Sequence, residues 1–332
     1  MRAAQNSPVA IIGAGATGTR AARQLLHKDA LDVLVVDDGL GQARSAAQAL
    51  GRDVAYSEGS TAPEGVQVVV LCARPSDHVR LARQSLDRGQ HVVSVSDDVG
   101  VIRRLLDLND VAERNQATLV VGAGMMPGLT DVLVAHGASR FDEIDEIHVA
   151  KFGTGGPDCA RQHHRALKGA CVDWRAGEWV RRAGGSGREL SWFPSPVEAA
   201  DCYRAALGDP LLLARLHPEA GRITARMAAT RRDRLTMHLP MLRRPHPEGL
   251  LGAVRAELRG RRNGAMEEMV LGCAERPAVA AGTVAAAAVS AILRSREPGV
   301  RGLAEAVETV PFLHDLIDRG LRLEIFTGAG DL

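Results

Sequence analysis

The hydrophobic pattern changes character once along the chain. Over the first 125 residues, short and almost wholly apolar runs at 9–12, 33–36, 66–71, 91–95 and 119–121 alternate with stretches whose apolar positions recur at helical spacing. Runs so short and so uniformly apolar predict strands buried on both faces, and the amphipathic stretches between them predict helices covering a parallel sheet. Gly51 and Gly89 stand where two of those helices should stop.

Beyond residue 143 the texture differs. Residues 144–151 predict a strand, followed by a glycine-rich loop and by tryptophan- and turn-bearing segments through Phe193. Val254, Ala256 and Leu258 alternate with Arg255, Glu257 and Arg259, and Arg262-Asn263-Gly264 precedes Met269-Val270-Leu271, which predicts an Asn-Gly hairpin with one solvated face. This second region is expected to be α+β with an antiparallel sheet. Residues 277–293 carry no charge and are mostly alanine. They fall short of the roughly 20 apolar residues that a membrane span requires, so a buried helix is expected and no membrane partner. A break at Pro298-Gly299 and an amphipathic helix over 303–317 follow. The expected division is 1–126 with 275–332 as one domain and 127–274 as the other.

Composition narrows the function classes. In 332 residues, 41 basic and 40 acidic side chains leave a formal charge of +1, without the electrostatic footprint of a nucleic-acid or membrane-surface binder. The arginines between 222 and 262 lack interleaved aromatic platforms. They are expected to be solvated sheet and loop positions, with one or two left to bind a substrate carboxylate. Five cysteines without a C-x-x-C pair fit reduced thiols and a cytoplasmic location. Residues 1–7 lead into the first strand without the apolar run of a secretory signal.

The chemistry begins in the first strand-to-helix turn, Gly13-Ala14-Gly15-Ala16-Thr17-Gly18, with glycines in G-x-G-x-x-G spacing. The first glycine permits a tight turn, the second lets backbone amides approach a pyrophosphate, and the third allows close helix packing. The second strand ends in Asp37-Asp38, nineteen residues after Gly18, where a carboxylate can bind a ribose 2'-hydroxyl. A carboxylate there repels the extra phosphate of NADP, so NAD is the expected cofactor; NADP stays open through Arg44. Two later strand ends, Cys72-Ala73-Arg74-Pro75 and Ser94-Val95-Ser96, should line the same crevice. His78 either contacts the cofactor or lies on the surface.

Several stretches carry a family likeness: Val68-Val69-Val70-Leu71-Cys72-Ala73-Arg74-Pro75, Gly89-Gln90-His91-Val92-Val93-Ser94, Gly122-Ala123-Gly124-Met125-Met126-Pro127-Gly128-Leu129, Gly153-Thr154-Gly155-Gly156-Pro157, and at the end Pro298-Gly299-Val300 with Phe312-Leu313 and Gly320. The chain resembles the saccharopine dehydrogenase (saccharopine reductase) family. The resemblance implies a Rossmann domain with a doubly wound parallel sheet, an inserted α+β domain for substrate and dimerisation, and a C-terminal helical return. It also implies pyridine-nucleotide-dependent formation or cleavage of a secondary amine through an imine, and a homodimer.

Such chemistry needs a proton carrier and no metal. Candidates cluster at Lys151-Phe152-Gly153-Thr154-Gly155-Gly156-Pro157-Asp158 with His163, His164 and Arg165. Lysine occurs only at Lys28, Lys151 and Lys168, so Lys151, ending a strand, is a candidate base alongside one of the two histidines. On a helix adjacent histidines point about 100° apart, so only one is expected to face a site, and the pair is poor chelate spacing. Met125, Met126, Pro127 and Asp131 open a helix and, with Thr154, Gly155 and Arg165, are candidate substrate contacts; Asp131 equally suits a helix-dipole role. The substrate class expected is a small amine and carbonyl pair that yields an amino acid or polyamine derivative. A dehydrogenase acting on a C–O bond and a non-catalytic dinucleotide sensor are the alternatives.

Overall fold

The computed structural model describes residues 8–51, 53–241 and 244–326; the N-terminal stretch read as signal-free lies outside them. The chain forms two compact units, Met1–Gly124 with Ala278–Arg319, and Met125–Pro277 with Gly320–Leu332.

In the first unit the strands are β1 (Val9–Ile12), β2 (Val33–Asp37), β3 (Ala55–Glu58), β4 (Val68–Leu71), β5 (His91–Ser94), β6 (Thr118–Val121) and β15 (Gly299–Gly302). They pair in parallel throughout, in the order β15-β6-β5-β4-β1-β2-β3. This is the doubly wound Rossmann order, whose switch point lies between β1 and β4. The apolar runs at 9–12, 33–36 and 68–71 are almost fully shielded because neighbouring strands and helices cover both faces. Helices α1 (Ala16–His27), α2 (Leu40–Leu50), α3 (His78–Leu86), α4 (Val99–Leu106), α5 (Asn109–Arg114), α10 (Pro277–Arg294), α11 (Leu303–Ala306) and α12 (Thr309–Asp318) complete the unit.

Three features differ from the sequence expectation. The edge strand β3 alternates half-buried and exposed positions and contains one large apolar residue, Tyr56, so it carries no apolar run. The supposed break at Pro298-Gly299 instead leads into β15, where the Val300 amide donates to the Asn109 side chain at 3.0 Å and Gly299 to Gly302 pair with β6. The final helix divides into α11 and α12; Pro311, which has no amide hydrogen, fits only within a first turn and so forces a fresh start at Thr309. Helix α10 is long and apolar enough to cross a membrane by length and composition, yet two-thirds of it is buried within the protein. A Cβ on its Gly282 would lie 2.6 Å from that of Arg20, so a small residue is what lets α10 lie against α1.

In the second unit, β7 (Glu143–Phe152), β8 (Ala170–Arg175), β9 (Glu178–Ala183), β10 (Glu189–Phe193), β11 (Glu198–Arg204), β12 (Arg222–Ala228), β13 (Gly252–Arg262), β14 (Ala265–Glu275) and β16 (Leu323–Phe326) form one sheet. Its main path runs β10-β11-β12-β7-β13-β14-β16, with β8 joining β12 to β9. The sheet is mixed rather than purely antiparallel, since β12 and β7 run parallel. The Asn-Gly hairpin is present: Asn263 and Gly264 take φ of 51° and 79°, the left-handed pair that a two-residue turn between twisted strands requires. Its polar face is not solvated as expected, since Arg255 and Glu257 are buried and pair with each other, and Arg226 of β12 is likewise buried against Glu189. Helices α6 (Leu129–Ala138), α7 (Pro157–Lys168), α8 (Asp209–Leu216) and α9 (Arg231–Thr236) complete this unit. Gly137 of α6 brings that helix onto β13 and β14, where a Cβ would meet Leu258 at 2.8 Å. Residues 323–326, assigned by the sequence reading to the first domain, pair with β14 and extend this sheet instead.

Candidate functional site

The glycine-rich turn of the first unit joins β1 to α1, and its three glycines are required for different reasons. Gly13 has φ +106°, and a Cβ there would lie 2.5 Å from the Cys72 carbonyl carbon and oxygen, so the turn is pressed against the end of β4. A Cβ on Gly18 would collide with the Gly13 carbonyl oxygen. Gly15 is the contrast. It caps α1 with ordinary extended angles, φ −74° and ψ −172°, and a Cβ would meet nothing within 4 Å. Among the described residues no packing excludes a side chain there, whereas close approach of a pyrophosphate to the first amides of α1 would. Ala16 and Thr17 form the first turn of that helix, beside this open space.

Asp37 closes β2 next to the turn. Its Oδ2 accepts the Ala14 amide at 2.8 Å, and its Oδ1 accepts the Gly39 amide at 3.1 Å. The Ala14 carbonyl in turn accepts Gln42 Nε2 at 3.0 Å, so both backbone polar groups of Ala14 are anchored. Asp37 therefore braces the turn, a role that sequence spacing does not reveal. Asp38 is exposed and pairs with Arg74 at 2.6 Å. Arg44 is an exposed side chain of α2.

The ends of β4 and β5 are tied together by a buried histidine. His78 Nε2 lies 3.0 Å from the Ala73 carbonyl, which can only accept; Nε2 therefore carries the proton, and Nδ1 accepts the Ser94 hydroxyl at 2.9 Å. The Ser94 oxygen also receives the Ser96 amide at 3.4 Å. Burial lowers the His78 pKa, which keeps the ring neutral, and pushes the Cys72 thiol up to about 12. His78 is thus neither a surface residue nor a charged ligand; it fixes the loops that begin at Cys72 and Ser94. Pro75 opens a short 3-10 turn before α3.

In the second unit, Lys151 lies on β7 in register with Met227 of β12 and Val254 of β13. It is only 5% exposed, so the solvated strand end that a charged residue suggests is not what forms. Beyond it, Phe152, Gly153 and Thr154 enter the wall of a cavity of about 860 Å³. Both His163 and His164 of α7 also line it, although helix geometry favours one. His163 is buried with Nε2 3.6 Å from Cys159 Sγ, while His164 Nε2 donates to the Leu239 carbonyl at 2.7 Å. Cys159, one turn before His163 at the i, i+4 offset, is a partner that the sequence reading leaves out. Gly155 is buried and does not border the cavity; Arg165 is exposed and bonds Gln162.

The cavity's charge is supplied by residues distant in sequence. Arg231, Arg232 and Arg244 border it, and none forms an ion pair with a carboxylate among the described residues. The two acids on the wall are otherwise engaged: Asp233 closes a capping box with Thr230, and Asp201 pairs with Arg188 at 2.9 Å. Phe152, Met227 and Leu250 provide apolar wall. A cavity of this kind suits an anionic head on an apolar stem. Met125, Met126, Pro127 and Asp131 are buried at the start of α6 and its approach, and none of them borders the cavity.

Comparison with known proteins places the fold. Residues 8–98, which include the glycine-rich turn and β2, match the family described as NADP oxidoreductase, coenzyme F420-dependent. Apo saccharopine dehydrogenase (L-Glu forming) from Saccharomyces cerevisiae superposes with a TM-score of 0.71 at 13% identity, covering 97% of this chain and all of that one. C. glutamicum DAP dehydrogenase in complex with DAP gives 0.54 at 16% identity, covering 95% of this chain and 99% of the other. An engineered D-amino acid dehydrogenase bound to NADP+ gives 0.53 at 15% identity, covering 95% and 99%. The chain therefore has the saccharopine dehydrogenase-like fold, that of NAD(P)-dependent dehydrogenase-type oxidoreductases.

Proposed function

We propose that the protein is an NAD(P)-dependent oxidoreductase that forms or cleaves a C–N bond of an amino acid derivative through an imine. The observation that carries the nucleotide half is Gly15: a helix N-cap with open space in front of it, in a turn braced by Asp37, at the switch point of a doubly wound sheet. Gly13, Gly15 and the amides of Ala16 and Thr17 would hold the dinucleotide, which supplies hydride chemistry when bound. In the second unit the guanidinium groups of Arg231, Arg232 and Arg244, which form no ion pair among the described residues, would bind substrate carboxylate, and they favour an amino acid over a polyamine.

Proton movement is assigned to His163, which borders the cavity, with His164 held by its bond to Leu239 and Lys151 as the second candidate. Imine formation expels water from a carbinolamine, so a group that gives a proton and takes it back is required, and imidazole does both near neutrality. We further propose a cytoplasmic homodimer. The C–N assignment draws support from two similar folds, those of saccharopine dehydrogenase and of an engineered D-amino acid dehydrogenase.

The test is a panel of amino acids paired with keto acids or aldehydes, following oxidation of NADH and NADPH, beside a matched panel of hydroxy acids with NAD and NADP. Turnover confined to the amine panel is expected, with KM raised in Arg231→Gln/Arg232→Gln. Turnover confined to hydroxy acids would replace the C–N assignment with C–O oxidation.

A further inference from the structure

The coenzyme preference of this chain does not rest on its β2 carboxylate alone. A carboxylate that ends β2 favours NAD because it binds the ribose diol and repels a 2'-phosphate. Here each oxygen of Asp37 accepts one backbone amide, from Ala14 and Gly39, which fixes the carboxylate against the turn and leaves lone pairs for a ribose hydroxyl, so a nearby cation can still tip the choice. The side chain that reaches the end of β2 from outside is Arg74. It stands at the end of β4, on the other side of β1 from β2, and bonds Asp38 at 2.6 Å, with Asp77 3.7 Å from its Nε. Arg74 and Asp38 are 63% and 66% exposed, so the pair is solvated and weak. A phosphate offers the same guanidinium a second negative charge and bidentate geometry, and can displace a solvated carboxylate. Glu58, in register with Asp37 on β3, is a further acid at this rim, and Arg44 on α2 a further base.

We propose that Arg74 is the residue that sets coenzyme choice: it exchanges Asp38 for the adenosine 2'-phosphate, so that the protein accepts NADP as well as NAD. The proposal rests on the reading of the first unit as a dinucleotide site. It assigns to Arg74, from the far side of the switch point, the part that the sequence offers to Arg44. Asp38 acts as the competing anion that keeps this affinity moderate.

The experiment is calorimetric titration of the full chain with adenosine 2',5'-bisphosphate and with 5'-AMP, which need no turnover. Wild type is expected to bind both. Arg74→Gln should weaken the bisphosphate roughly tenfold more than 5'-AMP, the loss of about one charge-assisted contact. Asp38→Asn should strengthen the bisphosphate and leave 5'-AMP close to its starting value. Both positions are exposed, and a thermal melt of each variant checks that it is folded. Equal weakening of the two ligands by Arg74→Gln, or wild-type binding of 5'-AMP without the bisphosphate, overturns the proposal and leaves the dinucleotide site standing. If neither fragment binds, NAD and NADP are titrated into wild type and Arg74→Gln in their place, and absence of binding by both dinucleotides overturns the dinucleotide site and this proposal with it.

Discussion

Gly15→Ala should separate folding from nucleotide binding, because the structure gives the added methyl group no clash. A Cβ at this position has no neighbour within 4 Å, and the backbone at φ −74° and ψ −172° is open to any residue. Two small effects on stability oppose each other. Restricting the unfolded chain stabilises by about 0.4–1 kcal/mol, and placing alanine where glycine capped a helix costs about 0.5–1 kcal/mol. The net change is within about 1 kcal/mol, or a melting shift of about 2–4 °C in a protein of this size. For the nucleotide the same methyl fills the approach of the pyrophosphate to the first amides of α1. Loss of one or two charge-assisted bonds at about 1.5–3 kcal/mol each weakens binding roughly a hundredfold.

Gly13→Ala is the control that behaves differently. Its Cβ would lie 2.5 Å from the Cys72 carbonyl, at φ +106°. Backbone strain and overpacking together cost about 2–6 kcal/mol, so folding itself should suffer. Thermal melts read the first quantity and calorimetric titration with NAD and NADP the second. If Gly15→Ala binds either dinucleotide within threefold of wild type, roughly 0.65 kcal/mol, the open space at the start of α1 is not where a pyrophosphate lies. A melting loss as large as that of Gly13→Ala would show that the glycine serves packing after all.

Acid should destabilise the protein early. Burial lowers the pKa of His78, His91, His148 and His217 below the ordinary 6.5, so the native state resists protons that the unfolded chain accepts. Their contribution is full above about pH 6.5 and declines as pH falls below it. A melting temperature flat between about pH 7.5 and 5.5 would refute buried neutral histidines. Cys72 and Cys273 are pushed up to about 12 and Cys202 to about 11, so native protein should resist iodoacetamide at these positions. Peptide mapping should find them labelled only after denaturation. Arg319→Ala should lower stability by about 3–5 kcal/mol, as expected for breaking a buried ion-pair network. The side chain is 3% exposed and holds Asp29 at 2.7 Å and Asp315 at 3.0 Å. A denaturant midpoint like that of wild type would show the network to be dispensable.

How legible each residue was depended on how local its physics is. The β1–α1 turn is written in six consecutive residues, because the tightness of a turn and the start of a helix are settled by immediate neighbours. The strand β15 escaped notice because two glycines, one valine and one arginine carry no apolar run; it exists through its pairing with β6 and the Asn109 side chain. The parallel alignment of β12 with β7 is equally invisible, since nothing within a strand's own residues encodes the direction of its neighbour. Asp37 was legible as a residue and not as a role: its spacing from Gly18 suggests a ribose ligand, while its bonds to Ala14 and Gly39 depend on how closely β2 lies beside the turn. Arg74 and the cavity arginines lie further along the same scale. Arg74 meets Asp38 across 36 positions of sequence, and Arg231 joins His163 on one wall only through the order of the second sheet. On the proposed reading, specificity rests on contacts whose partners are far apart in sequence, whereas the glycine-rich turn is local. A motif search can find the turn and mark the strand end that carries Arg74, but which dinucleotide and which acid are accepted must be tested at Arg74, Arg231 and Arg232, whose partners no short pattern reveals.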